Sequence, residues 1–268
     1  MKSFQVGTAT ALVAFARLAA AQSSIVTRSP VGFAKGVTGG GNAAPVYPST
    51  IDELIGYLTD SSPQNIVIGG TFDFVGSEGT TTYAACNTYE CTPSEGGQAL
   101  LNTLGGCDTD ALYDVTVDTA GVEGINVASD KTLVGLGTNT VLIGKGLRFA
   151  GVSNIIVQNI EITNINPQYV WGGDALSFSD TNLIWIDHVT TSSLGRQHYA
   201  FGDESDNAIT ISNSFINGVT DYSATCDGHT YWGLELVGSS DLITFYRRPR
   251  PKILLHGRMG LYKQLIAI

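Results

Sequence analysis

The sequence predicts an all-β protein built as a right-handed, single-stranded parallel β-helix. Three observations lead to this prediction: glycine is abundant while charge is sparse, helix signals are rare, and short apolar segments recur in the second half. Glycine accounts for 32 of the 268 residues, and charged residues make up only 14% of the chain. Many glycines in an apolar chain indicate many tight turns, and therefore many short strands.

The recurring segments resemble one another and begin at Asn154, Asn182, Asn207 and Asp241. When the first three segments are aligned so that every second residue matches, the offsets between them are 28 and 26 residues. Each unit is too short to bury its own apolar face, so neighbouring units must stack. Because the units lack a helical half, the stack is predicted to be a parallel β-helix rather than a leucine-rich repeat.

The same alignment places Asn159, Asp187 and Asn213 at one register of successive strands. Two interpretations stay open for them: a stacked ladder of polar side chains, or turn residues that end each strand. Trp185 falls at an inward-facing position and is expected in the core. The pattern stops after Phe245, which predicts a β-helix that is incomplete at its C-terminal end.

One short helix is predicted over residues 49–58, where it can cap the N-terminal end of the stack. Ser49 or Thr50 suits the N-cap, and two acidic residues follow in the first turn, where they favour the helix dipole. The helix presents one apolar face, formed by Ile51, Leu54, Ile55 and Leu58.

The net charge of −10 is distributed unevenly. Residues 246–268 contain six basic and no acidic residues, so the remainder holds eight basic against 24 acidic residues, a charge of −16. This acidic body argues against a nucleic-acid partner and against docking on an anionic membrane. Because residues 247–268 also lack the repeat, we hypothesise that this basic tail is an out-of-frame or mis-spliced ending.

The N-terminal residues have the pattern of a secretory signal peptide: a basic Lys2, an apolar stretch, and a run of three alanines before Gln22. We therefore expect a signal peptide at residues 1–21, a β-helix domain at residues 22–246 and an extracellular location. In an oxidising compartment the four cysteines should form two disulfides, with three possible pairings. Their spacing does not fit a zinc motif, so no metal site is expected.

Loops between the coils should carry the functional groups, because the strands form the scaffold. Trp171 lies beside a Gly-Gly pair, and Trp232 follows Tyr231. Aromatic rings with a polar rim favour stacking on sugars, and the alternative is burial in the core. Asp187 and His188 are interpreted as a structural pair that joins two coils.

Arg196 is the candidate for contact with the carboxyl group of a substrate. It is one of only eight basic residues before Tyr246, and it lies in a loop bounded by Gly195 and Gln197. A planar, permanently charged group with five donors suits such a partner. The alternative is a buried ion pair with an aspartate.

Three stretches resemble the fungal pectin lyases, polysaccharide lyase family 1 of the pectate-lyase superfamily: YVWGGD (169–174), WIDHVTTSSLGRQHY (185–199) and DYSATCDGHTYWG (221–233). The segment GFAKGVTGGG (32–41) resembles the start of the mature enzyme in that family. The resemblance implies a secreted β-helix enzyme that cuts methyl-esterified galacturonan, or pectin, by β-elimination. We expect it to be a monomer without a cofactor. It also implies the disulfides Cys86–Cys107 and Cys91–Cys226.

The resemblance places Arg196 as a catalytic arginine, with Asp174 beside it. During elimination the proton at C5 leaves and the carboxyl group becomes enolate-like, so a nearby cation stabilises the transition state more than the ground state. A neutral methyl ester suits an acidic protein, whereas polygalacturonate would be repelled. The resemblance also implies a second arginine that accepts the proton. His256 and Arg258 do not reproduce its motif, so low activity is expected.

Three other functions remain open. A calcium-dependent pectate lyase would use carboxylate ligands, for which Asp174, Asp203, Asp221 and Asp227 are available, although Arg196 argues against it. An inverting glycoside hydrolase would need a pair of carboxyl groups with a water molecule between them. The third is a non-catalytic fragment that binds pectin through Trp171, Trp232 and Tyr231.

Overall fold

The computed structural model describes residues 25–108 and 110–247. The predicted signal peptide and all but the first residue of the predicted basic tail lie outside these ranges. The described helices are α1 (Ile51–Thr59) and α2 (Thr119–Val122), with 3₁₀ turns at Gly32–Ala34 and Pro93–Glu95. The strands, in chain order, are β1 (Pro45–Val46), β2 (Gln64–Ile68), β3 (Thr71–Asp73), β4 (Thr80–Cys86), β5 (Ala99–Leu101), β6 (Tyr113–Asp118), β7 (Ile125–Asn126), β8 (Lys131–Gly135), β9 (Val141–Ile143), β10 (Leu147–Ala150), β11 (Ser153–Gln158), β12 (Glu161–Ile165), β13 (Tyr169–Val170), β14 (Leu176–Ser179), β15 (Asn182–Asp187), β16 (Thr190–Leu194), β17 (Tyr199–Phe201), β18 (Asn207–Ser212), β19 (Phe215–Asn217), β20 (Leu234–Leu236) and β21 (Ile243–Tyr246).

Three parallel sheets form the body of the molecule. The long sheet has the order β1-β2-β8-β11-β15-β18-β21, the cleft sheet the order β7-β10-β14-β17-β20, and the third sheet the order β3-β9-β12-β16-β19. Each coil therefore runs from the cleft sheet to the long sheet and then to the third sheet. This arrangement confirms the predicted all-β, right-handed parallel β-helix.

The predicted register is wrong by one residue. Ile155 pairs with Ile184 instead of Leu183, and Ile184 pairs with Ile209. The alignment matches Asn154 with Asn182, whereas Ser153 is the residue that pairs with Asn182. Left-handed residues with φ of 60°, 59° and 54° are skipped at the same level of all three strands, so they leave the register unchanged: Asn154, Leu183 and Ala208. The spacing from Ile155 to Ile184 is 29 residues and that from Ile184 to Ile209 is 25, whereas the alignment gives 28 and 26.

The corrected register changes the position of the polar residues. Asp187 lies beside Gln158 and Ser212, and it is not in one row with Asn159 and Asn213. The two asparagines have φ of 59° and 49° directly after their strands, so they are turn residues rather than parts of a ladder.

Trp185 was expected in the core of the coil, and the register correction moves it to the outer face of the long sheet. It is nevertheless only 2% exposed, because Ala34 and Val37 of the N-terminal segment cover it beside Ile156. The N-terminal segment, residues 25–41, thus creates a second apolar layer outside the coils.

The interior of the coils is apolar and includes a stack of three aromatic rings. Phe149, Phe178 and Phe201 occupy equivalent positions on successive strands of the cleft sheet. Their ring centroids are 5.1 Å and 4.5 Å apart, and interplanar angles of 25° and 9° make both contacts stacked. The predicted helix is confirmed as α1, whose Leu54 and Leu58 bury into the same core.

A four-stranded sheet, in the order β13-β5-β4-β6, lies outside the coils. Disulfides Cys86–Cys107 and Cys91–Cys226 tie this region together and to the loop that precedes β20, as the resemblance implies. Within the part of the chain that the structure describes, no helix has the length and apolar character needed to cross a membrane.

Candidate active site

The connections from the third sheet to the cleft sheet carry the predicted site residues. Trp171 and Asp174 lie between β12 and β14, Arg196 lies between β16 and β17, and Trp232 lies directly before β20. Because these strands are neighbours in both sheets, the connections stack on one another along the N-terminal ends of the cleft-sheet strands. The fold therefore brings together residues that are up to 61 positions apart in sequence.

The guanidinium of Arg196 is the centre of this site. Its Nη2 donates to Glu235 Oε1 at 2.8 Å, and its Nη1 lies 3.9 Å from Asp174 Oδ2. Its Cζ lies 3.9 Å from the centre of the Trp171 ring, which is a cation–π contact. The Arg196 side chain is 15% exposed, and its Nε has no hydrogen-bond partner among the described residues.

Close backbone contacts hold the two loops of this site together. Arg196 N donates to Gly173 O at 3.1 Å, and Gln197 N donates to Asp174 Oδ1 at 2.8 Å. Gly173 has a φ of 138°, and a Cβ there would lie 1.9 Å from the carbonyl oxygen of Gly121. Only glycine fits this position, so the Gly-Gly pair after Trp171 serves the packing of the loop.

The carboxyl group of Asp174 has a raised pKa. Burial raises the pKa of its carboxyl group to about 6, although the nearby Arg196 and the amide of Gln197 act in the opposite direction. Asp174 is therefore ionised at neutral pH and begins to protonate in mildly acidic solution.

A cleft of about 260 Å³ opens beside Arg196 and includes Asp174, Trp171, Ser177 and Arg148. Arg148 Nη1 donates to Asn126 Oδ1 at 2.7 Å, and its Nε lies 4.0 Å from Glu123. An outward-facing row crosses the cleft sheet at this level and consists of Asn126, Arg148, Ser177, Ala200 and Glu235.

The sequence reasoning did not identify Arg148 and Glu235. Both alternate with apolar residues, in Leu147-Arg-Phe and Leu234-Glu-Leu, which is the period of a strand with one solvent-facing side. This alternation could have placed both side chains on the outer face of the cleft sheet. Their distance from Arg196 depends on the strand pairing in the cleft sheet, which the alignment did not cover.

The predicted aromatic residues differ in their accessibility. Tyr231 is 41% exposed and packs edge-on against Trp232, with ring centroids 4.9 Å apart. On its other side Trp232 contacts Tyr89 at 6.2 Å, and burial raises the pKa of Tyr89 to about 12. Trp171 has one ring face occupied by Arg196. Sugar stacking by these residues stays a prediction, and Tyr231 is the most accessible of the three.

Asp187 and His188 form a structural pair, as interpreted from the sequence. Fully buried Asp187 accepts from Gln158 Nε2, Ser212 Oγ and Asn213 Nδ2 at 2.7–2.8 Å and contacts His188 Nδ1 at 2.7 Å. Burial alone would raise its pKa, but these hydrogen bonds together lower it. The pair lies on the long sheet and does not line the cleft.

The four aspartates that the calcium alternative would use do not form a ligand set. Within residues 25–108 and 110–247, no three His, Cys, Asp or Glu side chains come together as possible metal ligands. The Asp174 carboxylate is instead engaged with Gln197 N–H and faces Arg196.

Comparison with known proteins places this site in context. A family model described as pectate lyase matches residues 96–256. Probable pectin lyase E of Aspergillus niger is 80% identical over 236 residues, covering 88% of this chain and 64% of that protein. Probable pectin lyase A of Aspergillus oryzae is 56% identical over 225 residues, covering 82% of this chain and 59% of that protein.

The chain thus spans about three fifths of the length of these curated relatives. Among solved structures, a Paenibacillus pectate lyase is similar with a TM-score of 0.53 at 13% identity, covering 81% of this chain and 58% of that chain. At 13% identity, this similarity is evidence for the fold alone. The family model covers more than half of the sequence, and the chain belongs to the pectate lyase family.

Proposed function

We propose that the protein is a pectin lyase, an enzyme that cleaves α-1,4-linked, methyl-esterified galacturonan by β-elimination and leaves unsaturated oligosaccharides. The observation that carries this proposal is the placement of Arg196, a permanent cation at the edge of an open cleft, between Asp174 and Glu235 and over Trp171. The two Aspergillus relatives, named as probable pectin lyases, support the same activity.

Arg196 supplies electrostatic stabilisation in this mechanism. A base removes the C5 proton, and negative charge develops on the ester carbonyl oxygen, where an aligned guanidinium stabilises it. The electron pair then forms the C4=C5 double bond as the C4–O4 bond breaks, and the leaving O4 takes up a proton. Arg196 uses Nη2 for Glu235, whereas its Nη1 lies 3.9 Å from Asp174 Oδ2, beyond hydrogen-bond distance. Because the side chain is largely buried, water screens this interaction less than it would at an open surface.

Asp174 positions the arginine in this proposal. One of its oxygens accepts the backbone N–H of Gln197, the residue after Arg196, and the other faces the guanidinium. The proposal assigns no described residue as the proton acceptor. Trp171 supports the guanidinium from one side, and Tyr231 and Trp232 provide a platform for the sugar rings.

The experiment is an elimination assay with highly esterified pectin, following the ultraviolet absorbance of the unsaturated product. Arg196→Lys should lower the rate by about 10²-fold, because the planar set of donors is lost. Arg28→Lys is the matched control, since Arg28 bonds to His188 on the long sheet, away from the cleft. New reducing ends without the unsaturated product, or an unchanged rate for Arg196→Lys, would refute the proposal.

We further propose that the protein acts outside the cell, as a monomer, through the β-helix domain at residues 22–246. The two disulfides support an oxidising compartment, and the N-terminal pattern supports cleavage before Gln22. Secretion of the protein and sequencing of its mature N-terminus from the culture medium would test this proposal. Retention of the whole chain inside the cell would contradict it.

A further inference from the structure

We propose that Glu235 determines the selectivity of the cleft: its carboxylate excludes unesterified galacturonate and leaves the site open to the neutral methyl ester. This inference rests on the proposed function, because it concerns the sugar bound at Arg196. Glu235 lies in β20, the strand next to β17 in the cleft sheet.

Glu235 already occupies the position that a substrate carboxylate would seek. Its Oε1 accepts from Arg196 Nη2 at 2.8 Å, and its side chain is 26% exposed. An anionic sugar must therefore displace this carboxylate or bind directly beside it. An ester carbonyl oxygen needs only one donor, and Arg196 Nη1 lies 3.9 Å from Asp174 Oδ2, beyond hydrogen-bond distance.

The balance of charge around the cleft supports the same conclusion. Arg196 faces two carboxylates, Asp174 and Glu235, so this part of the cleft carries a net negative charge when both are ionised. The second cation, Arg148, has Glu123 at 4.0 Å. Like charges held within a few ångströms repel, whereas a neutral ester experiences no such repulsion.

Glu235→Gln separates this electrostatic role from a structural one. Glutamine keeps an oxygen that can accept from Arg196 Nη2, so the arginine stays in place while the charge is removed. Glu161→Gln is the matched control, because it removes the same charge from β12 in the third sheet. Circular dichroism should show that both variants fold as the wild type does.

The experiment measures binding of the whole chain to two polymers, polygalacturonate and highly methyl-esterified pectin, at about pH 7.5, where Asp174 with its pKa of about 6 is ionised. We expect Glu235→Gln to raise the affinity for polygalacturonate, relative to pectin, by about 3- to 10-fold. The gain should shrink at high salt, since salt screens partly exposed charges. Glu161→Gln should leave the ratio unchanged.

The outcomes separate the two proposals. Pectin binding with an unchanged ratio in Glu235→Gln, or with an equal change in Glu161→Gln, would overturn the selectivity role and leave the proposed function standing. Failure of the wild-type chain to bind either polymer would overturn the proposed function, and the selectivity role with it. An effect that is insensitive to salt would show that Glu235 acts through structure and not through charge.

Discussion

Replacing Asp174 by asparagine should make the protein more stable at neutral pH. Burial raises the pKa of Asp174 to about 6 from its ordinary value of 3.8, and its side chain is 20% exposed. A difference of this size corresponds to a cost of up to ~3 kcal/mol for keeping the group ionised. Asparagine removes the charge and keeps an oxygen that can accept from Gln197 N–H.

The sign of the effect follows from the direction of the pKa shift. For a carboxyl whose pKa is raised on folding, stability is fully present below the unfolded pKa and is lost as the pH rises through the folded pKa. The wild type should therefore lose stability relative to Asp174→Asn between about pH 4 and about pH 6.

Asp187 provides a control with the opposite sign, because hydrogen bonds lower its pKa despite burial. Its contribution to stability is present above the unfolded pKa and is lost as the pH falls through the folded pKa. Asp187→Asn should destabilise the protein by about 1–3 kcal/mol at neutral pH, because an amide would point a donor at other donors.

Urea unfolding followed by far-ultraviolet circular dichroism at about pH 4 and about pH 7 tests both variants. At the lower pH, Asp174→Asn and the wild type should be nearly equal, and the gain should appear at the higher pH. A gain that is the same at both pH values, or a loss at about pH 7, would refute the reasoning for Asp174.

Two further predictions concern stability. Phe178→Ala should lower the stability measured by thermal unfolding by about 3–5 kcal/mol, because Phe178 lies between two stacked rings in the core. The control Phe33→Ala should cost much less, since Phe33 is 42% exposed. Equal losses in the two variants would contradict the importance of the stack. Removal of the Cys91–Cys226 disulfide, which links residues 135 positions apart, should cost about 5 kcal/mol and make the melting temperature less sensitive to reductant. An unchanged melting temperature would argue against this role of the disulfide.

Sequence reasoning predicted the fold class because apolar units without a helical half have few ways to bury their faces. It placed α1 within a residue or two and assigned Arg196 and Asp174 to one site, where the structure also has them. It misplaced the register by one residue, because the spacing is 29 residues from Ile155 to Ile184 but 25 from Ile184 to Ile209, and similar letters alone do not reveal this difference.

The role of Glu235 could not be predicted for a related reason. In sequence it is 39 residues from Arg196, and only the pairing of β17 with β20 brings their segments together. Pair contacts of this kind depend on loop lengths between coils, and the repeat pattern alone does not determine those lengths.

The N-terminal segment has a consequence for the order of folding. Its backbone donates to side chains on several strands of the long sheet: Gly40 N to Thr132, Thr38 N to Asn154, Ala34 N to Thr210 and Phe33 N to Thr244. The last of these contacts spans 211 residues. During synthesis the segment emerges first, yet its partners on β18 and β21 emerge much later. Complete docking of the N-terminal segment is therefore a late step, and the long sheet keeps an uncovered outer face until then.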